Sequence, residues 1–504
     1  MKQKSRWRRI LKVLLFLLFI DGTILGLAEW AVYQFSPTYY RKVARAQQLS
    51  SEKADHVKRI FVFGESTIDG FPYPAENTTA HWLQMILSEV MPKQIQAQVV
   101  NFGKPARCAI HLNDALQYSL RYKPDLVVIC VGHNEFLARS LALSQNPTHR
   151  WWYLHSNLYR GLSDVVTNFR SRHMEKAGVR PNGGIPVDGA MYQNVVSQFG
   201  EQVDDMVVQC QQAGVPVLLC IPGSNLACRP AFSQGKPLSA EQITQRDAWL
   251  NQAQEWILHG DSGKTLLDKA MQIDPHWAMT HYWQARQAQL DNQTDLANTA
   301  FAQARDFDAL PFRCQTPLQQ KLHSISKMRG VPLIDFPAIF QAQCNKPPGS
   351  EWFVDSCHPR PWGQHLMAQT MAKAIAEHHL LGQGMSWHWQ QLPTYEQCMN
   401  QMKSPADGWV GPERRALLQL LKTSPEVAWE LAQKLPAFSK KQDAEWQILA
   451  SIALWRCGKA REAMKHMPEN APLQQPPDDW PMEVKQAWQE LSHAADKLSM
   501  VRSP

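Results

Sequence analysis

The chain has 504 residues, of which 44% are hydrophobic and 19% are charged, and its net charge is +7. This length predicts two or three domains, and the composition is that of an ordinary globular protein with ample material for a core. The charge is modest and no lysine-rich run occurs, so we expect no nucleic-acid partner.

The amino terminus joins positive charge to an apolar run. Basic residues crowd the first nine positions, and an apolar stretch from Ile10 to Ala28 follows, interrupted by Lys12 and Asp21. A run of this length just crosses a bilayer, although a central aspartate costs about 2.5–3.5 kcal/mol on insertion scales. We expect residues 1–35 to be a cytoplasmic basic tail and a single-pass, uncleaved signal anchor in a bacterial inner membrane, with the rest of the chain periplasmic. The alternative is a buried amphipathic helix of a cytoplasmic protein.

Strand and helix patterns alternate along the next part of the chain. Residues 36–56 are predicted to be a helical connector, and residues 57–383 an α/β domain. The predicted strands are Ile60–Phe63, Gln98–Asn101, Leu126–Val131, Pro216–Ile221 and Val331–Asp335. The predicted helices are His81–Val90, Ile110–Arg121, Met191–Ala213 and Pro317–Arg329. This alternation predicts βαβ units and a mainly parallel sheet covered on both faces.

Two insertions interrupt that alternation. Residues 142–189 are rich in aromatic, arginine and histidine residues, and we interpret them as a lid or an interaction surface. Residues 241–312 contain an internal repeat with a period of 34, which is typical of tetratricopeptide helical hairpins. The matched pairs are Trp249 and Trp283, Leu267 and Phe301, Ala270 and Ala304, and Asp274 and Asp308. Two such repeats must pack against the main domain, because they cannot form a solenoid alone.

The carboxyl-terminal part, residues 384–504, is helical in pattern and rich in tryptophan. It shows no cluster of ionisable residues, so we interpret it as a region that binds a partner or stabilises the fold, and we expect catalysis to survive its deletion.

The ten cysteines of the chain contain no CxxC pair, which excludes a zinc knuckle and a thioredoxin motif. Cys228, Cys314, Cys344 and Cys357 lie in polar segments and can pair in an oxidising compartment, but their spacing does not give the pairing.

Four short motifs carry residues suited to acyl transfer. Ser66 follows the first predicted strand, Gly103 the second and Asn134 the third, so these residues should meet at the carboxyl edge of the sheet. Asp355 and His358 stand in a loop near the end of the α/β part. His358 can take the proton of a serine nucleophile, and Asp355 can orient the imidazole and balance its charge. The Ser66 N–H, the Gly103 N–H and the Asn134 amide are candidate donors to an oxyanion.

These motifs resemble the conserved blocks of the SGNH, or GDSL-type, hydrolase superfamily. Gly64-Glu65-Ser66 stands where that family has Gly-Asp-Ser, Gly103 where it has its glycine, Gly132-x-Asn134-Glu135 where it has Gly-x-Asn-Asp, and Asp355-x-x-His358 where it has Asp-x-x-His. The resemblance implies a flavodoxin-like three-layer fold, with the helical hairpins inserted and an all-α carboxyl-terminal region. It also implies a Ser66–His358–Asp355 triad. Glu65 and Glu135 depart from the family pattern by one methylene each.

Two further residues are weaker candidates for contacting substrate. His133 lies beside Asn134, and Arg313 lies between the repeats and the last motif, where it could bind an anionic group. The alternatives are that His133 shapes its loop and that Arg313 pairs with an acid. We expect no metal and no cofactor, because the histidines lack paired ligand spacings and serine chemistry requires neither.

The leading hypothesis is a membrane-anchored serine esterase that deacylates a small molecule or a cell-envelope glycan, with acetyl as the candidate acyl group. An O-acyltransferase would use the same acyl-enzyme. The second hypothesis is a scaffold, in which the repeats and the carboxyl-terminal helices dock a protein partner and the esterase site is secondary.

Overall fold

The structure is a computed structural model, and it divides into two compact units, residues 1–49 with 137–183 and residues 50–136 with 184–504. The described residues are 23–29, 31, 39–74, 76–137, 141, 143, 146–163, 165–166, 184–187, 189–233, 235, 237–402, 407–423, 425–434, 444–467, 476–477 and 480–502.

The larger unit is built on one sheet of five parallel strands in the order β2-β1-β3-β4-β5. The strands are β1 (Val57–Gly64), β2 (Gln96–Asn101), β3 (Leu126–Cys130), β4 (Val217–Ile221) and β5 (Leu333–Asp335). This is the flavodoxin-like order, in which the direction of strand addition reverses between β1 and β3. The predicted fold class and all five predicted strands are therefore confirmed.

Helices cover both faces of the sheet. Within the α/β part they are α1 (Ser66–Asp69), α2 (Thr79–Val90), α3 (Ala109–Ser119), α4 (Ala190–Gln212), α5 (Ala240–Leu258), α6 (Lys264–Ile273), α7 (Ala278–Leu290), α8 (Thr294–Asp306), α9 (Thr316–Arg329), α10 (Phe336–Ala342) and α11 (Pro361–Glu377). Alternate residues of β1 point to opposite faces. Ile60 and Val62 join the core formed with α2 and α11. On the other side Phe63 stacks with Phe102 and Phe61 packs edge-on against it. Both faces are buried, which explains why the strands are apolar throughout.

The inserted segment forms two helical hairpins, α5 with α6 and α7 with α8. Trp249 and Trp283 lie in the first helices of the two hairpins, and Leu267 and Phe301 lie in the second helices. Their offset of 34 therefore relates equivalent positions of two hairpins, with Trp283 and Phe301 buried in a common core. The assignment to the tetratricopeptide class stays a prediction.

The carboxyl-terminal region is helical where it is described, and it has its own apolar core. Its helices are α12 (Tyr395–Gln401), α13 (Asp407–Thr423), α14 (Pro425–Lys434), α15 (Ala444–Arg456), α16 (Ala460–His466) and α17 (Met482–Arg502). An ion pair connects this region to the α/β part, because Glu413 of α13 pairs with the buried Arg360. The sequence pattern showed no cluster of ionisable residues in this region, and it did not reveal this pair, because only folding brings Glu413 to a partner 53 positions away.

The smaller unit contains the helices Tyr39–Ala46 and Pro147–His155. Residues 23–29 are also helical, and Glu29 accepts hydrogen bonds from the backbone of Asn157 and Leu158. Most of the predicted anchor, residues 1–22, lies outside the described residues, as does 167–183 of the predicted lid. Of the helices that are described, none is both long enough and apolar enough to cross a membrane. The anchor and the lid stay predictions.

We predict that Gly64→Ala destabilises the larger unit by about 1–3 kcal/mol, because cores respond in this range to added methyl groups. A β-carbon on Gly64 would lie 2.3 Å from Ile68 Cγ1 and 2.8 Å from the carbonyl oxygen of Cys130. Chemical denaturation followed by tryptophan fluorescence measures the effect. The control is Gly411→Ala in α13, where the nearest atom is 3.6 Å away. This control should retain or slightly gain stability, because alanine favours helix. Equal stability of the two variants would contradict the prediction.

Candidate active site

Ser66 lies where β1 ends and α1 begins. The register places Gly64 opposite Cys130 of β3, so Ser66 and the residues after β3 lie at the same edge. This edge is the switch point of the sheet, where open α/β folds bind ligands. Ser66 is the first residue of α1, with Glu65 as its N-cap, so its backbone N–H has no acceptor within the helix. The turn thus presents a hydroxyl and a backbone donor together.

A hydrogen-bonded relay joins Ser66 to the loop before α11. Nε2 of His358 lies 2.7 Å from Oγ of Ser66, and Nδ1 of His358 lies 2.7 Å from Oδ2 of Asp355. The other carboxylate oxygen, Oδ1, accepts the backbone N–H groups of Cys357 and His358. The carboxylate is therefore fixed on both oxygens. The structure brings the predicted nucleophile, base and orienting acid together in the order that proton removal from a serine requires.

The charges of the relay reinforce one another. Burial by itself would lower the pKa of His358, but its neighbours Cys357 and Asp355 outweigh this effect and hold that pKa well above the usual value. Burial would raise the pKa of Asp355, but His358 and the backbone N–H groups lower it below the usual value. The carboxylate is thus ionised at neutral pH and stabilises an imidazolium that forms when Ser66 gives up its proton.

Glu65, which replaces the aspartate of the family pattern, connects the ends of two strands. Its side chain is fully buried, and its two oxygens accept the N–H groups of His133 at 2.8 Å and Asn134 at 3.0 Å. Burial raises the pKa of Glu65 to about 7, although these donors oppose the shift. The longer acid does not displace the turn, since Ser66 remains within hydrogen-bond distance of His358.

The Gly103 N–H has an acceptor inside the protein, which weighs against its predicted role as an oxyanion donor. It donates to Oδ1 of Asn101 at 2.7 Å, while the amide of Asn101 donates to the carbonyl of Ile68. A β-carbon at Gly103 would lie 2.5 Å from the backbone nitrogen of Asp69. Glycine is required here because the loop after β2 packs directly against α1.

Asn134 retains one donor. Its amide Nδ2 donates to the carbonyl of Arg107 at 2.9 Å, which uses one of its two hydrogens. Its acceptor residue follows Ala106, which has a left-handed φ of 56°. An alanine in this conformation is uncommon and marks strain, and such strain clusters at functional sites. The left-handed conformation of Ala106 could not be predicted from the sequence, because alanine rarely adopts a positive φ.

His133 and Arg313 are both used inside the protein. Nδ1 of His133 accepts the N–H of Cys314, and its Nε2 lies 3.2 Å from the carbonyl of Gly223. Burial, above all, lowers the pKa of His133 to about 3, so the ring stays neutral. The buried Arg313 donates to the carbonyls of Asn225 and Cys228 and pairs with Asp308. These contacts favour the structural alternatives over substrate binding for both residues, because their polar atoms already have partners.

One group of side chains has the composition of a metal site. Asp355, Cys357 and His358 offer ligand atoms that lie within 4.8 Å of one another. Two of them form the relay, and Oδ2 of Asp355 already accepts from Nδ1 of His358. A cation held by both atoms would have to break this hydrogen bond. All ten cysteines, including Cys357, are free thiols.

We predict that Glu65 makes stability fall as pH rises. Its pKa is about 7 in the folded chain against an ordinary 4.5, so between these values the folded state holds a proton that the unfolded state has lost. The free energy of unfolding should therefore drop by up to about 3 kcal/mol across this window. Denaturation of Glu65→Gln at several pH values should lack this component. Glu89→Gln, at a half-exposed position of α2, is the control and should follow the wild type. Parallel pH curves for wild type and Glu65→Gln would refute the prediction.

Comparisons with known proteins place the site in a family. The chain is similar to a putative G-D-S-L lipolytic protein from Desulfitobacterium hafniense (12% identity, 63% of this chain and 98% of the other, TM-score 0.28). It is also similar to a GDSL-like lipase from Bacteroides thetaiotaomicron (12%, 68% and 98%, TM-score 0.31). A third similar structure is an acetylxylan esterase from Geobacillus stearothermophilus, solved as a catalytic mutant (12%, 65% and 96%, TM-score 0.31). No match was found among curated proteins. The family model of the GDSL-like lipases and acylhydrolases matches residues 60–371, which is more than half of the chain. The chain therefore belongs to the GDSL-like lipase/acylhydrolase family and is a hydrolase that acts on ester bonds.

Proposed function

We propose that the protein is a serine esterase in which Ser66 attacks the acyl carbon, His358 moves the proton and Asp355 orients His358. The observation that carries this proposal is the continuous relay from Ser66 through His358 to Asp355, with both links at 2.7 Å. Residues separated by 292 positions meet in this geometry.

The proposed reaction has two halves. Nε2 of His358 takes the proton as Oγ of Ser66 attacks, and the imidazolium then protonates the leaving alcohol. In the second half water attacks the acyl-enzyme and gives its proton to the same nitrogen; the bond to Oγ then breaks, the imidazolium returns the proton to Ser66 and the carboxylic acid leaves. The oxyanion is stabilised by the Ser66 N–H, which is unused within α1, and by the second amide hydrogen of Asn134. Because His358 acts only when neutral and its pKa is raised, activity should increase with pH through a value above 6.5.

The proposed substrate is an acylated small molecule or a glycan carrying small ester groups such as acetyl. The family match to the GDSL-like lipases and acylhydrolases supports an ester substrate. A transferase would follow the same first half and differ only in the acceptor. Quantifying free acetate against acetylated acceptor in one reaction distinguishes the two outcomes.

A fluorophosphonate probe tests the nucleophile directly, because it reacts with a serine that a neighbouring base activates. We expect the wild type to be labelled on Ser66 and Ser66→Ala not to be labelled. Asp355→Asn should lower the turnover of a generic acetyl ester by about 10²–10⁴-fold, as for other triads that lose their orienting acid. Ser88→Ala, at a serine whose hydroxyl bonds within α2, is the control and should retain labelling. Labelling of Ser66→Ala, or of a different serine in the wild type, would refute the assignment.

We also propose that the chain is anchored in a bacterial inner membrane with its catalytic unit outside the cytoplasm. The basic amino terminus and the apolar run after it support this location. The described part of the smaller unit adds support, because Ile24, Leu25, Trp151 and Trp152 are 48–59% exposed. Tryptophan at such a surface suits a membrane interface.

A reporter fused after residue 40 tests this location. We expect alkaline phosphatase, which needs an oxidising compartment, to be active in the fusion and a cytoplasmic fluorescent reporter to be dark. Replacing the basic residues before position 10 by neutral ones should weaken this preference, because these residues orient the segment. Fluorescence of the cytoplasmic reporter, together with inactive alkaline phosphatase, would contradict the proposal.

A further inference from the structure

A buried ionic cluster joins the carboxyl-terminal region to both loops of the active site. Its centre is Arg360, which lies two positions after His358 and is fully buried. The guanidinium donates from Nε to the carbonyl of Ser350 and pairs through Nη1 with Glu413 of α13. The backbone N–H of Arg360 also donates to the carbonyl of Trp352. Arg360 thus holds the end of the loop that carries His358 through bonds to Ser350, Trp352 and Glu413.

The same carboxylate reaches the loop that follows Ser66. Oε1 of Glu413 accepts the hydroxyl of Tyr73 at 2.7 Å, and all three side chains of the cluster are less than a tenth exposed. Tyr73 lies two positions after Phe71, whose ring packs edge-on against His358 at 5.0 Å between centroids. Glu413 therefore contacts one residue from each of the two loops that form the relay.

Removal of this carboxylate would leave a buried cation without its counter-charge. Nη2 of Arg360 already lacks a hydrogen-bond partner among the described residues, and Asp355 and Glu351 act on the guanidinium only through space. Breaking a buried pair by removing one partner typically costs far more than the pair contributes. The charge of Arg360 also acts on Asp355, which lies within its field. The unbalanced guanidinium would compete with His358 for that carboxylate.

We propose that Glu413 is a positioning residue of the relay, through which the carboxyl-terminal helical region completes the active site. By neutralising Arg360 and holding Tyr73, it fixes the loops of His358 and Ser66 relative to each other. This inference rests on the proposed serine esterase activity and adds that the activity depends on α13. It replaces the expectation that catalysis survives removal of residues 384–504.

The first test is Glu413→Gln, assayed with a generic acetyl ester across pH. Glutamine keeps an acceptor for Tyr73 but leaves Arg360 charged and unpaired. We expect kcat to fall about tenfold or more with KM changed less than about threefold, as for loss of an interaction that matters in the transition state. The acidic limb of kcat/KM should move to lower pH by about half a unit or more, because a nearby positive charge disfavours the imidazolium.

Other ionisable groups also act on His358 and thus on the acidic limb of the kcat/KM profile, and the substitution leaves them in place. The ionisable groups that act on His358 are Asp355, Cys357, Glu65, Asp69 and His133. Adding Arg360→Met to Glu413→Gln removes the unbalanced cation, so the limb should return to its wild-type position. A limb that stays shifted in this double variant would overturn the proposal.

The matched control is Glu445→Gln, which removes an ion pair with Arg414 inside the same helical region. It should leave kcat and the pH limb unchanged. Equal effects of Glu445→Gln and Glu413→Gln would overturn the proposal, as would a Glu413→Gln variant with wild-type kcat and limb. A fall in kcat with an unshifted limb would also overturn it, since it would indicate general loosening.

A second variant covers the case in which Glu413→Gln does not fold. Tyr73→Phe removes one hydroxyl and leaves the ion pair intact, so kcat should fall at least threefold without a shift of the limb. Tyr395→Phe, at a partly buried tyrosine stacked on Trp82, is its control and should keep wild-type kcat. Equal kcat in both tyrosine variants would overturn the proposal. Fluorophosphonate labelling of the wild type runs in parallel: an unlabelled Ser66 defeats the esterase assignment itself, and this inference with it.

Discussion

The buried carboxylate of Glu65 is the constraint on which the active site depends. It lies directly before Ser66 and accepts the backbone N–H groups of His133 and Asn134, which follow the neighbouring strand β3. Ser66 and Asn134, the proposed nucleophile and oxyanion donor, are thereby fixed to one another through a single side chain.

This bridge has an energetic consequence. Desolvation raises the pKa of Glu65 to about 7, because the backbone N–H donors and the charge of His358 oppose the shift only in part. Glu65 therefore fixes the geometry of the site but lowers the free energy of unfolding near neutral pH. Proteins commonly accept such strain where function requires fixed geometry.

The second half of the relay is held from farther away. Asp355 and His358 lie on a loop, not on a strand, and loops need external support to keep a catalytic geometry. Part of this support is local, since the amide of Asn225 donates to the carbonyl of Asp355. Part comes through Arg360 from Glu413 in the carboxyl-terminal region. Residues of the α/β part and of the carboxyl-terminal region therefore both support the loop that carries Asp355 and His358.

Three predicted site residues use their polar groups inside the protein for a common physical reason. Gly103, His133 and Arg313 all carry donors or acceptors that suit a substrate, and all three use them inside the protein. Buried polar groups are almost always hydrogen-bonded, so a polar residue near a site usually serves the fold first. Sequence spacing identifies the type of group but not whether its hydrogen bonds are already taken.

The sequence by itself determined the parallel α/β class, the strands, the positions of Ser66 and Asn134 after strands and the loop that carries Asp355 and His358. It could do so because short continuous apolar runs and motifs at strand ends are local properties of the chain. Only the tertiary structure decided which groups meet: the 2.7 Å contact between Ser66 and His358, the acceptor of the Gly103 N–H and the pairing of Glu413 with Arg360. Such pairings join residues far apart in the chain or depend on the path of one loop. A glutamate in a helical pattern therefore looks the same whether it faces water or a buried guanidinium.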